Sequence, residues 1–74
     1  MQTVNKLGVS ESELRQGKTY EFDTPDGSRT AEVDFSERGD FRIWFNGTFI
    51  HVSKTFKALD SRLTKLADKW GLEA

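Results

Sequence analysis

The chain has 74 residues, a mass of 8.5 kDa and a formal net charge of −1, with 35% apolar, 31% charged and 12% aromatic side chains. That is room for one small domain over residues 1–74, too aromatic for a disordered tail and too evenly charged for a strongly basic nucleic-acid binder. With no cysteine and a single histidine, His51, it has no disulfide framework, no thiol nucleophile and no Cys/His zinc cluster, so an apolar core or a partner has to stabilise it.

Residues Met1–Lys6 lack the basic-then-apolar layout of a signal peptide, and no apolar run approaches the roughly 20 residues of a membrane helix. A cytoplasmic protein without membrane contact is therefore expected. In Val9-Ser10-Glu11-Ser12-Glu13-Leu14, Ser10 is placed to cap a short helix and Glu13 to return a bond to the Ser10 amide, with Val9 and Leu14 as a hydrophobic staple. Gly17 supplies the stop. A helix of one or two turns is not stable alone, so the Leu14 side of residues 1–17 must lie on the main body.

From Thr19 to Val52 the apolar period changes to two, interrupted at Pro25-Asp26-Gly27-Ser28, Glu37-Arg38-Gly39 and Asn46-Gly47. Four strands in an antiparallel meander over residues 19–52 follow. Each turn fixes a register. The first pairs Phe22 with Ala31 and Tyr20 with Val33. The second, with Gly39 left-handed, pairs Phe35 with Phe41, Asp34 with Arg42 and Val33 with Ile43. The third pairs Phe45 with Thr48, Trp44 with Phe49, Ile43 with Ile50 and Arg42 with His51. All three place Tyr20, Phe22, Ala31, Val33, Phe35, Phe41, Ile43, Phe45, Ile50 and Val52 on one face. The other face then carries Thr19, Glu21, Asp23, Thr30, Glu32, Asp34, Arg42, Trp44, Phe49 and His51.

After Ser53, read as an N-cap, apolar residues recur at Phe56, Leu59, Leu63, Leu66, Ala67 and Trp70, an arc of about 100° on a helical wheel. An amphipathic helix over residues 54–70 is expected, closed by Gly71 and Leu72 in a Schellman ending. Its apolar stripe covers the aromatic sheet face. The fold class is α+β, a four-stranded antiparallel meander with one C-terminal helix packed on one face and a short N-terminal helical turn.

Chemistry is sparse. The row Asp34, Arg42, His51 joins acid, base and imidazole, yet no G-x-S-x-G, cysteine or phosphate loop accompanies it, so it reads as a surface ladder and the chain as no enzyme. Carboxylate pairs such as Glu21 and Glu32 lie on an open face with no water-excluded pocket to shift them. No metal site and no cofactor are expected. Arg38-Gly39-Asp40 and Asn46-Gly47-Thr48, which spell an adhesion tripeptide and a glycosylation acceptor, are explained by their turns.

Two surfaces remain. Trp44 and Phe49 fall on the polar face beyond the helix's reach; either residues 1–16 cover them, with Val4, Leu7, Val9 and Leu14 as a second small core, or they form a partner-binding anchor ringed by Arg42, His51 and Glu32. On the C-terminal helix Lys54, Arg62, Lys65 and Lys69 share a sector of about 80°, an ordinary solvated face or a strip for phosphates or an acidic partner.

A meander with a twisted hairpin followed by an amphipathic helix is similar in layout to the sheet-reading DNA-binding domains of plant ethylene-response factors and the arm-binding domains of tyrosine recombinases. There the sheet face away from the helix enters the major groove with Arg and Trp side chains, which implies that role for Arg42 and Trp44, and the Gly47-Thr48-Phe49 stretch before the helix has a similar look. Here Glu21, Asp23, Glu32 and Asp34 share that face and repel phosphates. The leading expectation is a small regulatory protein that binds a larger protein partner through the Trp44/Phe49 face, as a phage or mobile-element accessory protein does. The alternative is nucleic-acid binding through the sheet face or the basic helix face. Homodimerisation through the aromatic patch or a sheet edge competes with the first.

Overall fold

Three tight turns set the order of the sheet. β1 (Tyr20–Asp23), β2 (Thr30–Phe35), β3 (Phe41–Phe45) and β4 (Thr48–Ser53) are neighbours in sequence and in space, each antiparallel to the last. The computed structural model describes residues 7–72. At the β3–β4 bend Asn46 (φ 52°) and Gly47 (φ 81°) are both left-handed, the signature of the favoured two-residue hairpin turn. At the β2–β3 bend the Ser36 amide donates to Asp40 O at 2.8 Å and Gly39 takes φ 89°, as a three-residue loop requires.

The registers of the first two hairpins match the sequence reading: Tyr20 faces Val33 and Phe22 faces Ala31, while Val33 faces Ile43, Asp34 faces Arg42 and Phe35 faces Phe41. The third departs from it. Trp44 faces Phe49 as expected, but a bulge then admits one extra residue, so Ile43 faces His51, Arg42 faces Val52 and Phe41 faces Ser53. An edge strand has one ladder to satisfy, so it takes a bulge without breaking a second. The slip exchanges faces: His51 turns to the Ile43 side and Val52 to the Arg42 side. Ile50 and Val52, expected in the core, are 38% and 47% exposed.

α2 (Phe56–Trp70) starts two residues later than expected, because Thr55 rather than Ser53 is the N-cap; its hydroxyl accepts from the Ala58 amide at 3.2 Å. Its buried residues are Phe56, Leu59, Leu63, Leu66 and Ala67, the expected stripe without Trp70, which stays half-buried. The helix lies on β3 and β4 and is held at both ends by aromatic pairs with β3. Phe56 meets Phe41 edge-on at 5.8 Å, and Trp70 stacks on Phe45 at 3.6 Å. Gly71 is left-handed and the Leu72 amide donates to Ala67 O at 3.0 Å, the Schellman ending.

α1 (Glu11–Arg15) caps the other half of the same layer. It lies against β2, and Leu7, Val9 and Leu14 join Phe22, Ala31, Val33, Phe41 and Ile43 in one core shared with α2. Arg15 sits over the core-side rings of Phe35 and Phe41, 5.1 and 5.3 Å from their centroids. The expectation that this segment crosses the opposite face, with Leu7, Val9 and Leu14 as a second core, is therefore corrected; Val4 lies outside the described residues. The reciprocal capping box is also absent: Ser10 is the N-cap without a side-chain cap bond, and the Glu13 carboxylate accepts instead from the Tyr20 hydroxyl and from Lys18 Nζ. Those two donors hold Glu13 below the usual carboxylate range, the Tyr20 bond contributing most. They tie α1 to the start of β1.

Candidate functional site

Both helices occupy one side of the sheet, and no described residue covers the other. Strand alternation arranges that outer face in rows across the sheet. One row runs Glu21, Glu32, Trp44, Phe49, and the next runs Asp34, Arg42, Val52. A third joins Asp23 to Thr30, whose hydroxyl donates to the Asp23 carboxylate at 2.9 Å. The face is thus divided, carboxylates over β1 and β2 and apolar side chains over β3 and β4.

Trp44 and Phe49 form its apolar centre, with ring centroids 5.2 Å apart and planes tilted by 55°. Phe49 is 48% exposed and Val52 47%, while Trp44 is half-buried. Arg42 seals one side of the indole: its guanidinium carbon lies 5.5 Å from the Trp44 ring, a cation–π distance. Two parallel bonds of 2.8 Å from Nε and Nη2 fix that guanidinium to both oxygens of Asp34. A bidentate, partly exposed pair of this kind stabilises by about 0.5–1 kcal/mol. It raises the Arg42 pKa, chiefly through the Asp34 hydrogen bond.

The sequence reading brought Trp44, Phe49, Arg42 and Glu32 to this face, and the structure brings them together. It removes His51 from them. His51 lies on the helix side of β4, where burial and, second, the charge of Arg62 push its pKa below the ordinary value of 6.5. Its Nε2 is buried without a hydrogen-bond partner, as are Ser53 Oγ and Asp60 Oδ1. The Ser, His and Asp of this flank are therefore not joined as nucleophile, base and orienting acid. In exchange the outer face acquires Val52, which strict alternation had assigned to the core. The trace of this in the sequence is faint: Phe49-Ile50 places two apolar residues in succession, followed by a polar and an apolar one.

The basic strip is also altered. Lys54 precedes α2 and pairs with Asp40 at 2.5 Å, so it does not belong to the helix face. Arg62, Lys65 and Lys69 remain exposed on successive turns. Open depressions occur at the two turn ends of the sheet, one lined by residues including Pro25, Arg29, Phe45 and Trp70 and one by Phe35–Arg38 with Arg42. Neither includes Trp44, Phe49 or His51. Among the described residues no three His, Cys, Asp or Glu side chains are grouped to hold a metal ion, and no helix is long and apolar enough to cross a membrane. No family model, no curated protein and no solved structure matches the chain.

Proposed function

We propose that the chain is a non-enzymatic binding protein that acts on a larger protein partner through the outer face of its sheet. Trp44, Phe49 and Val52 are the anchor, with Arg42, Asp34 and Glu32 as its polar border. The observation that carries this reading is the completeness of the core without them. Seven large side chains, Phe41, Leu14, Ile43, Leu59, Leu63, Val9 and Val33, are sealed on the helix side, while three neighbouring apolar groups stand outside it on the opposite side of the same sheet. An aromatic centre on a rigid support with a charged border is the layout of an interface hot spot. The test is affinity capture from a lysate of the source organism with the tagged chain, compared with Trp44→Ala and Phe49→Ala. Both variants are expected to remain folded and to lose the captured partner. Retention of the partner by both folded variants would contradict the assignment.

A second reading, nucleic-acid binding, is supported by the exposed row Arg62, Lys65 and Lys69, since the sheet face with its four carboxylates repels a phosphate backbone. A mobility shift with DNA or RNA at low salt, lost when the three cations are replaced by Ala, would favour it over the first. Absence of a shift at low salt would end it.

A further inference from the structure

We infer that the outer face takes a cationic segment of another protein, one that sets Lys or Arg side chains beside an apolar anchor. This rests on the reading of that face as a docking surface and adds the chemistry of what docks there. Glu21 and Glu32 stand directly opposite each other on β1 and β2, and Glu32 in turn stands opposite Trp44. Like charges in direct cross-strand pairing destabilise a sheet. Among the described residues neither carboxylate has an ion pair or hydrogen bond, whereas Asp34 on the next row is fully engaged by Arg42. The face holds four carboxylates, those of Glu21, Asp23, Glu32 and Asp34, against one guanidinium, a net charge of −3 beside an open aromatic pair.

The dimensions suit one occupant. Neighbouring strands lie about 4.8 Å apart, so the row Glu21, Glu32, Trp44, Phe49 spans roughly 14 Å, with its acids at one end and its rings at the other. An amphipathic helix of about 10–12 Å diameter covers most of that width, its long cationic side chains reaching over Glu21 and Glu32 and its apolar ridge lying over Trp44, Phe49 and Val52. Its cations would relieve the Glu21/Glu32 repulsion that the free protein carries. A two-fold pairing of two copies would set this negative face against itself, and a phosphate backbone would meet the same charge.

The test uses the full chain and two labelled peptides of the same amphipathic pattern, one of Lys and Leu and one of Glu and Leu, followed by fluorescence anisotropy at low and high salt. The Lys/Leu peptide is expected to bind and to weaken as salt rises. Affinity should fall roughly tenfold in the Glu21→Gln/Glu32→Gln variant and be lost in Phe49→Ala, while the Glu/Leu peptide does not bind. Circular dichroism of each variant keeps folding separate from binding. If both peptides bind equally and only Phe49→Ala abolishes it, the face is a docking surface and the cationic inference is overturned. If Lys/Leu binding ignores both sets of substitutions, or sedimentation shows a dimer that Phe49→Ala dissociates, the inference also fails.

Discussion

On one side of β2 and β3, Ala31, Val33, Phe41 and Ile43 are closed off from water by two helices; on the other side of the same strands Glu32, Asp34, Arg42 and Trp44 stay in contact with it. The backbone is shared, so the difference lies in the side chains that alternate along it and in what covers them. Stability is therefore concentrated in one face. The other shares that backbone yet contributes little to the core, which leaves its composition free to serve recognition. β4 is the place where the division slips: the bulge sends His51 to the helix side and Val52 to the open side.

The largest expected effect is on the closed face. Ile43→Ala or Leu63→Ala removes a fully buried side chain from the core and should cost about 2–5 kcal/mol, enough to unfold much of the population of a domain this small in a urea titration. A loss below about 1 kcal/mol would mean that the core is not sealed as described. Next comes the helix terminus. Gly71→Ala places a methyl carbon 3.0 Å from Pro25 Cγ at a left-handed position, and a loss of about 1 kcal/mol or more is expected by the same titration.

A third effect reads the bulge through pH. Because burial lowers the His51 pKa in the folded chain, the unfolded chain binds a proton that the folded one resists. The contribution is fully present above about pH 6.5 and is lost as pH falls below it, before Glu13 titrates with its pKa held under 4.5. His51→Gln should flatten the stability profile between pH 7 and about 5.5. An unchanged slope would return His51 to the solvated outer face that strict alternation gives it. The smallest effect lies on the open face and has the opposite sign: Glu21→Lys replaces a like-charge pair with Glu32 by an opposite one and should stabilise by about 0.2–1 kcal/mol.

The inner face of the first three strands was legible because each bend has its own chemistry. Asn46-Gly47, the left-handed Gly39 and Asp26-Gly27 each allow few registers, and the registers of β1, β2 and β3 agree on which side is apolar. The stripe of α2 was legible for a similar reason, its period of 3.6 running unbroken from Phe56 to Ala67. The bulge was not, since an extra residue in an edge strand leaves no residue type that demands it, and Ile50 and Val52 alternate as well as any buried pair. Nor was the side taken by the N-terminal segment. Leu7, Val9 and Leu14 are apolar enough for either face, and only the space left beside α2, above β1 and β2, decides between them. Of the candidate site, Trp44, Phe49, Arg42 and Glu32 followed from the turns, and Val52 and His51 changed places for want of that one inserted residue. The Ser10–Glu13 capping box fitted its pattern but lost its acid to Tyr20 and Lys18, donors that lie beyond the four residues of the motif.

The open face is tested most directly by comparing the thermal unfolding midpoints of Phe49→Thr/Val52→Thr and Ile43→Thr, which put the same β-branched, strand-compatible residue on opposite faces of the sheet. In a domain of this size about 1 kcal/mol moves the midpoint by roughly 4–8 °C. The first variant is expected to melt within a few degrees of the parent and the second far below it. A comparable fall in both would show that Phe49 and Val52 are buried in solution.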